Sequence, residues 1–504
     1  MKKAIAVQDF DNLDIDLEEF RKYGYKVIDA ITEYYSTIKD RKIISESSSK
    51  EIEKVFEETL PLTGTCVNNI LGEWHNRVLP HTTHLGSPRY FGFVNGSGSM
   101  ISVFADALAT SVNMNSGGWK AGPAATEIER RVIKWIAELI NYPTICGGLL
   151  VGGGTIANFS ALLTALRNTA DYNTTEEGLQ SNKKRGKFTL YMSDHEGHIS
   201  IVKAADMINL GRNSIRRVPS NEDLSMNTDA LEKMLDEDIK EGMIPFCIVG
   251  QVGSINVGVV DPLERIAEIC KERKLWFHAD GACGAFGAML PEIEHMYKGL
   301  EQADSVTLDP HKWLYIPYEA GCLLVKEEEK LRRTFSIAAP YLQGTLPSDY
   351  NGLDFFEYGP QMSRGFNALK IWMTIKNYGK EGYQKLLRQN ILCAKHLHQL
   401  VLQSDVFVPM HQPQLFIYAF RFFPLQLRIK NEEEIKDYLD VMNQKIVDTI
   451  TASGFAFIMT SKIKEKIVIR LSICSHRTTI QDIEKVFEKL STIAGELKER
   501  EEDY

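Results

Sequence analysis

The chain has 504 residues, of which 44% are hydrophobic and 25% are charged, and its formal net charge is −9. This balance is typical of a globular protein with a large buried core, and it excludes a disordered or collagen-like chain. The negative charge disfavours nucleic-acid binding, which needs a basic face. No apolar run approaches the ~20 residues of a membrane span, and the N-terminus lacks a signal-peptide core, so we expect a cytoplasmic protein.

The eight cysteines form no CxxC pair, and their spacings match no set of zinc ligands. Several lie inside apolar runs, such as Cys247 in PFCIVG and Cys322 in AGCLLV. We therefore expect buried, reduced thiols.

The N-terminal part is predicted to be helical. Apolar residues recur at helical spacing in 16–39, and Asp16 with Glu19 forms a capping pattern at the start of this stretch. Residues 53–80 are predicted to be further helix. An apolar helix face of this size must pack either on this chain or on a partner.

From residue 148 onward, short apolar runs alternate with helical patterns, which predicts a parallel sheet covered by helices on both faces. Beyond residue 385 the pattern is that of a smaller α/β segment, with strands near LFIYAFRF and KIVIRLSI. Residues 340–362 are rich in proline and glycine and predict a long loop of the kind that forms lids or binding sites. The strands predicted for the main sheet are 149–151, 188–193, 215–218, 245–250, 275–280 and 305–309.

Chemically active residues stand at the end of one of these strands and directly after four others, where ligands bind in open parallel sheets. They are Gly152 to Thr155, Asp194 to His198, Gln251 to Ser254, His278 to Asp280, and Pro310 to Trp313.

These residues favour one cofactor. The glycine run opens a helix whose free N–H groups suit a phosphate, and it fits neither GxGxxG nor a P-loop. Lys312, at the end of an apolar strand, is a candidate nucleophile for a carbonyl if burial or cationic neighbours lower its pKa. A phosphate site with such a lysine points to pyridoxal 5′-phosphate, with Asp280 beside the pyridine nitrogen and His198 against the ring.

A metal site is the alternative for the histidines. His195, His198, His278 and Asp280 can be written as a ligand set, but HEGH is not HExxH, and we favour no metal. Serine hydrolase chemistry is disfavoured because GxSxG does not occur.

The sequence resembles the group II pyridoxal-phosphate-dependent amino-acid decarboxylases, which include aromatic L-amino-acid, tryptophan and glutamate decarboxylases. The motifs that carry the resemblance are SPRYFGF at 87–93, 117–129, Gly153 to Asn158, Asp194 to His198, His278 to Ala282, His311-Lys312-Trp313, and Arg364 to Trp372. The resemblance implies an α/β protein of the type I fold of PLP-dependent transferases, with a mostly parallel seven-stranded sheet and a small C-terminal α/β domain. The implied domains are an N-terminal helical segment (1–90) that wraps the partner of a homodimer, a large cofactor-binding domain (91–380) and a small domain (381–504).

The resemblance also implies the roles of individual residues. Lys312 would attach covalently to pyridoxal 5′-phosphate, Asp280 would pair with its ring nitrogen, and His198 would stack on the ring. Tyr341 would protonate Cα after CO2 leaves. The other residues implied to bind the cofactor are Gly153, Gly154, Thr155, Ser254, Ala282 and His311.

The implied substrate pocket leaves the substrate open. Gly117 either makes room for a large side chain such as indole or is simply open, and we favour an aromatic L-amino acid. The alternatives are an acidic amino acid, an aldehyde synthase, which the presence of Tyr341 disfavours, and a PLP-binding protein without turnover. The pocket residues are Leu85, Phe93, Val94, Asn95, Gly117 and Arg364.

Overall fold

A computed structural model describes residues 14–179, 186–337 and 352–502. The helices are α1 (Leu17–Thr37), α2 (Ser49–Val55), α3 (Val67–Glu73), α4 (Met100–Val112), α5 (Pro123–Leu139), α6 (Gly154–Thr169), α7 (Thr174–Glu177), α8 (Ile199–Met207), α9 (Thr228–Lys240), α10 (Leu263–Arg273), α11 (Glu328–Phe335), α12 (Ala368–Leu402), α13 (Lys436–Ala452) and α14 (Ile480–Glu502). The strands are β1 (Gly147–Val151), β2 (Phe188–Ser193), β3 (Ile215–Val218), β4 (Ile244–Gln251), β5 (Trp276–Asp280), β6 (Ser305–Leu308), β7 (Gly321–Val325), β8 (Phe407–Pro409), β9 (Ile417–Phe422), β10 (Met459–Ile463) and β11 (Lys466–Ser472).

The main sheet has seven strands in the order β1-β7-β6-β5-β4-β2-β3. Strand β7 runs antiparallel to both of its neighbours, and the other pairs are parallel. The register places Gln251 beside Asp280 and Asp280 beside Thr307, so β4, β5 and β6 end at the same edge. Most of these strands are buried along their whole length, because helices cover both faces of the sheet.

All six strands predicted for the main sheet are confirmed, and the fold class is the predicted one. The apolar pattern alone missed β7, although the run AGCLLV contains it.

A second, antiparallel sheet has the order β10-β11-β9-β8 and a core of its own. Both predicted C-terminal strands are confirmed, as β9 and β11. Phe91 joins this core, where its N–H donates to the Phe457 carbonyl at 2.7 Å and its carbonyl accepts from Ser472 at 2.9 Å. Helix α12 connects the two sheets and bends at Gly379, which has a φ of 63°. The three domain boundaries stay predictions.

The N-terminal prediction is confirmed in part. Helix α1 begins after Asp16, whose carboxylate accepts the N–H groups of Glu18 and Glu19, and none of its side chains is buried. The further helix expected over 53–80 is confirmed in part: α2 and α3 are helical, and so are Trp74–Val78 and Leu79–His81, but Pro61 and Gly64 lie in a non-helical stretch between α2 and α3.

The structure leaves all eight cysteines as free thiols, and seven of them are buried as expected, whereas Cys66 is exposed. Among the described residues, no helix is both long and apolar enough to cross a membrane.

Candidate active site

The ends of β1, β5 and β6 meet at the N-terminus of α6. Gly153 joins β1 to α6 with a φ of 146°, a conformation that favours glycine, and a Cβ there would lie 3.4 Å from Cε1 of His311. A Cβ on Gly154 would lie 3.0 Å from Oδ2 of Asp309 and 3.5 Å from Cβ of Ala282. The predicted residues on three different strand ends are therefore neighbours.

The first N–H groups of α6 are free to bind an anion. Those of Gly154 and Thr155 have no acceptor among the residues that the structure describes, whereas Ile156 and Ala157 donate to the Gly153 carbonyl. Free N–H groups and the helix dipole at this end favour a phosphate.

Lys312 forms a buried ion pair. Its Nζ lies 2.9 Å from Oδ2 of Asp309, with the two side chains 13% and 3% exposed, and 3.8 Å from Sγ of Cys283. Burial acts to lower the pKa of Lys312, but the adjacent Asp309 carboxylate outweighs it and raises the pKa above its ordinary value. The expectation of a lowered pKa is therefore wrong, because the nearest charge is an anion.

His311 lies on the other side of this ion pair. Its Nε2 is 3.6 Å from Oδ2 of Asp309, its Nδ1 accepts the N–H of Ala320 at 3.2 Å, and its ring lies 4.5 Å from that of Tyr318. Burial lowers the pKa of His311. The other oxygen of the Asp309 carboxylate, Oδ1, is buried and has no hydrogen-bond partner within the described part of the chain.

Asp280 ends β5 and is 4% exposed. Its Oδ2 accepts from Nδ2 of Asn158 at 3.1 Å, and its Oδ1 accepts from the N–H of Ala282 at 3.3 Å. Both carboxylate oxygens are thus held by the protein.

His198 caps the N-terminus of α8. Its Nδ1 accepts the backbone N–H of Ser200 at 3.3 Å and lies 2.6 Å from the Ser200 hydroxyl. Burial lowers the pKa of His198, so a neutral ring is favoured, with its proton on Nε2.

The loop around residue 95 packs directly on the lysine turn. The N–H of Gly96 donates to the His311 carbonyl at 3.1 Å, and a Cβ on Gly96 would lie 2.3 Å from the Lys312 carbonyl oxygen. Asn95 donates to the Tyr90 hydroxyl at 2.9 Å and accepts from the Tyr318 hydroxyl. This loop therefore brings predicted pocket residues to the lysine.

Phe93 and Val94 differ in exposure. Phe93 is 52% exposed, whereas Val94 is 3% exposed and packs in the main core. Leu85 is half-buried. Of these side chains, Phe93 offers the accessible apolar surface.

Backbone closes the direction that a side chain at Gly117 would take, because a Cβ there would lie 2.0 Å from the Met362 carbonyl oxygen. The place of Gly117 in the substrate pocket stays a prediction. Arg364 contacts the same loop through the Ser116 carbonyl at 3.3 Å, and its buried guanidinium pairs with Glu129. Its place in the substrate pocket stays a prediction.

Ser254 is fully buried after β4. Its hydroxyl accepts the N–H of Val259 at 3.2 Å. Its predicted contact with a phosphate stays untested.

His278, one of the residues considered as a metal ligand, has no free ring nitrogen to bind a metal ion. Both ring nitrogens of His278 are engaged, Nε2 with Asn158 Oδ1 at 2.9 Å and Nδ1 with Ser305 Oγ at 2.8 Å. Throughout the described ranges, no group of three or more histidine, cysteine or acidic side chains is arranged to hold a metal ion.

Comparison with known proteins identifies the family. Residues 50–422 match the family described as the pyridoxal-dependent decarboxylase conserved domain. The chain belongs to the pyridoxal-dependent decarboxylase family. The resemblance stated from the sequence motifs is confirmed, and so is the cofactor that this family uses.

Relatives of this decarboxylase cover nearly its whole length. It is 31% identical to an aromatic-L-amino-acid decarboxylase of Bacillus atrophaeus, over 97% of this chain and 98% of that one. It is 27% identical to a phenylacetaldehyde synthase of Petunia hybrida, over 91% of each chain. The solved Oryza sativa TDC with PLP and tryptamine has a TM-score of 0.87 and 22% identity, covering 97% of this chain and 99% of that one.

The residues of this decarboxylase fit pyridoxal 5′-phosphate. A lysine amine, a buried carboxylate and a helix N-terminus with free N–H groups surround one region, as an aldehyde, a pyridine nitrogen and a phosphate require. Asp309 adds a negative charge near that helix N-terminus.

Asp309 and Asn158 belong to this site although the sequence motifs did not indicate them. Asp309 is the last residue of the predicted strand SVTLD. Because ligands bind at the ends of parallel strands, this position was enough to indicate it. Asn158 lies inside the apolar helix α6, where the sequence carries no signal of its contacts with Asp280 and His278. Tyr341 lies outside the described residues.

Proposed function

We propose that this decarboxylase releases CO2 from an aromatic L-amino acid and yields the amine. The observation that carries the proposal is the 31% identity to an aromatic-L-amino-acid decarboxylase over nearly the full length of both chains. The family establishes PLP-dependent carboxy-lyase chemistry, and the substrate class is our inference.

We assign the cofactor contacts by geometry and family together. Lys312 would bind the aldehyde carbon, Asp280 the ring nitrogen, and the N–H groups of Gly154 and Thr155 the phosphate. His198 would lie against the ring. When bound, pyridoxal 5′-phosphate supplies a protonated ring that accepts the electrons of the breaking Cα–carboxylate bond. Asp280 stabilises that ring charge because its own oxygens are already oriented by two donors.

We propose that two residues donate protons or hydrogen bonds in the reaction. His311 is buried beside the ion pair of Lys312 and is favoured in its neutral form. Because its Nδ1 accepts the Ala320 N–H, its proton lies on Nε2, which faces Asp309 and can donate a hydrogen bond there. Tyr341 is assigned by the resemblance as the acid that protonates Cα of the substrate. A phenol within hydrogen-bond reach can perform this step.

The charges near the pocket favour an aromatic over an acidic side chain. Arg470 donates to the carbonyls of Phe93 at 3.1 Å and of Ile255 at 3.0 Å, and burial lowers its pKa to about 10. Arg364 is paired with Glu129. Both guanidinium groups are thus committed to protein acceptors, while the Phe93 ring is exposed.

A panel of the twenty amino acids, scored for CO2 release by the PLP-loaded protein, tests the proposal. We expect release from aromatic L-amino acids and none from the same protein with Lys312→Ala. Release from glutamate or aspartate alone refutes the substrate class. Absence of release from all twenty refutes the activity and supports a binding protein without turnover.

An aldehyde synthase is the second candidate, because one relative is a phenylacetaldehyde synthase. That reaction consumes dioxygen and water and yields aldehyde, ammonia and hydrogen peroxide with the CO2. We favour simple decarboxylation because Tyr341 is present. Product analysis separates the two: amine alone supports our proposal, and peroxide with aldehyde contradicts it.

We also propose that the chain forms a homodimer through its N-terminal segment. The apolar residues Leu17, Phe20 and Tyr25 of α1 are 84%, 66% and 67% exposed, and a second copy would cover them. Sedimentation should show a dimer that Phe20→Glu weakens and that Lys22→Glu, on the same helix, leaves intact. A wild-type monomer contradicts this proposal. The cytoplasmic location stays a prediction.

A further inference from the structure

We propose that Asn158 positions Asp280 and His198 together, through the two N–H groups of one side-chain amide. The inference rests on the proposed function, which assigns Asp280 to the ring nitrogen of the cofactor and His198 to its face. Asn158 is a positioning residue because it acts through these two side chains.

The donors and acceptors on one side of Asn158 have a fixed direction. The indole N–H of Trp276 can only donate, and it donates to the Ser305 hydroxyl at 2.8 Å. That hydroxyl lies 2.8 Å from Nδ1 of His278, to which it can donate. Burial lowers the pKa of His278 to about 4, so the ring is neutral. Its single proton lies on Nε2, because the Asn158 amide turns its Nδ2 to the Asp280 carboxylate and therefore its oxygen to Nε2. Nε2 donates to Oδ1 of Asn158 at 2.9 Å.

The other side of Asn158 is fixed by a carboxylate. Asp280 can only accept, so Nδ2 of Asn158 must face its Oδ2, at 3.1 Å. The second N–H of the same amide donates to the Ser200 hydroxyl at 2.8 Å. That hydroxyl then donates to Nδ1 of His198 at 2.6 Å, which leaves the proton of His198 on Nε2.

The buried Asn158 amide thus holds two side chains at once, one with each N–H group. Asn158 is fully buried, its oxygen is held by His278, and both of its N–H groups are used. Losing the amide leaves one oxygen of Asp280 and the hydroxyl of Ser200 without that donor, in a place with low dielectric where hydrogen bonds to charge are strong.

A double-mutant cycle of cofactor affinity tests the branch to Asp280. Asn158→Leu keeps the approximate volume and removes both donors. We expect the apparent affinity of the apoprotein for pyridoxal 5′-phosphate to fall about 10- to 100-fold. In an Asp280→Asn background the same change should cost less than about threefold, because the group it positions has changed.

Ser160→Ala is the matched control, since its buried hydroxyl on the same helix has no hydrogen-bond partner among the described residues. We expect its cofactor affinity and the thermal midpoint of its apoprotein to match the wild type. Equal losses for Asn158→Leu in both backgrounds, or no loss, overturn the positioning role. A wild-type protein that binds no pyridoxal 5′-phosphate instead overturns the proposed function.

The branch to His198 has a separate test that needs no cofactor and no change at Asn158. In 15N-histidine-labelled apoprotein, NMR should show His198 with its proton on Nε2. Ser200→Ala should shift this tautomer balance and leave that of His278 unchanged. A wild-type His198 protonated on Nδ1, or a tautomer that Ser200→Ala does not change, contradicts the branch even if Asn158→Leu does not fold.

Discussion

Replacing Asp309 with asparagine should speed the attachment of pyridoxal 5′-phosphate to Lys312. The two side chains form a buried ion pair at 2.9 Å, and this contact raises the pKa of the lysine above its ordinary value. An ammonium group cannot attack an aldehyde, so only the small neutral fraction reacts. Below the pKa of the lysine, that fraction grows about tenfold for each pH unit.

The size of the effect follows from the distance. An opposite charge this close raises the pKa of an amine by about 1–3 units, so Asp309→Asn should increase the neutral fraction at a given pH about 10- to 1,000-fold. The charges that face Lys312 are Asp309, Asp280 and His311, together with the Cys283 thiol. Among these, only the Asp309 carboxylate forms an ion pair with its Nζ.

The assay is stopped-flow absorbance of apoprotein mixed with pyridoxal 5′-phosphate, from neutral to mildly alkaline pH. Asp106→Asn is the control, because Asp106 pairs with Lys370 at 3.5 Å, a different lysine. Binding of pyridoxine 5′-phosphate, which lacks the aldehyde, separates a change in phosphate affinity from a change in the amine. Attachment in Asp309→Asn that is no faster than in the wild type, at every pH, refutes the reasoning.

Two further predictions concern stability. Arg364→Met should lower the free energy of unfolding by about 3–5 kcal/mol, because it leaves a buried carboxylate unpaired, whereas Arg388→Met, which breaks an exposed pair, should cost about 0–1 kcal/mol. Chemical denaturation measures both free energies of unfolding. Equal losses in the two variants contradict the conclusion that the buried pair of Arg364 and Glu129 matters more for stability than the exposed one. Gly117→Ala should cost about 1–3 kcal/mol because its Cβ would overlap the Met362 carbonyl, whereas Gly495→Ala, in open space on α14, should stabilise by about 0.5–1 kcal/mol. A Gly117→Ala protein as stable as the wild type shows that this loop can move.

The main sheet was readable from sequence because its strands are buried on both faces. Such strands appear as continuous apolar runs, and the residues that follow them lie at one edge of the sheet. That is why the sequence alone predicts that Lys312, Asp280 and Gly154 lie near the same edge of the sheet. The run that contains β7 was equally apolar, but its antiparallel direction depends on pairing with β1 and β6.

Long-range contacts explain what the sequence did not show. The space at Gly117 is filled by the Met362 carbonyl, which is distant in the chain. Asn158 stands among apolar helix residues, and only the packing of α6 on the sheet brings it to Asp280. The pKa of Lys312 was predicted in the wrong direction, because the neighbouring residue types were considered without their distances.

Peptide mapping after borohydride reduction tests the central claim most directly. The PLP-loaded protein is reduced, digested and examined by mass spectrometry to locate the lysine that carries the cofactor. We predict a single modified lysine, Lys312, and no modification of Lys312→Ala. A cofactor found on another lysine, or none found on a protein that has bound it, contradicts the account.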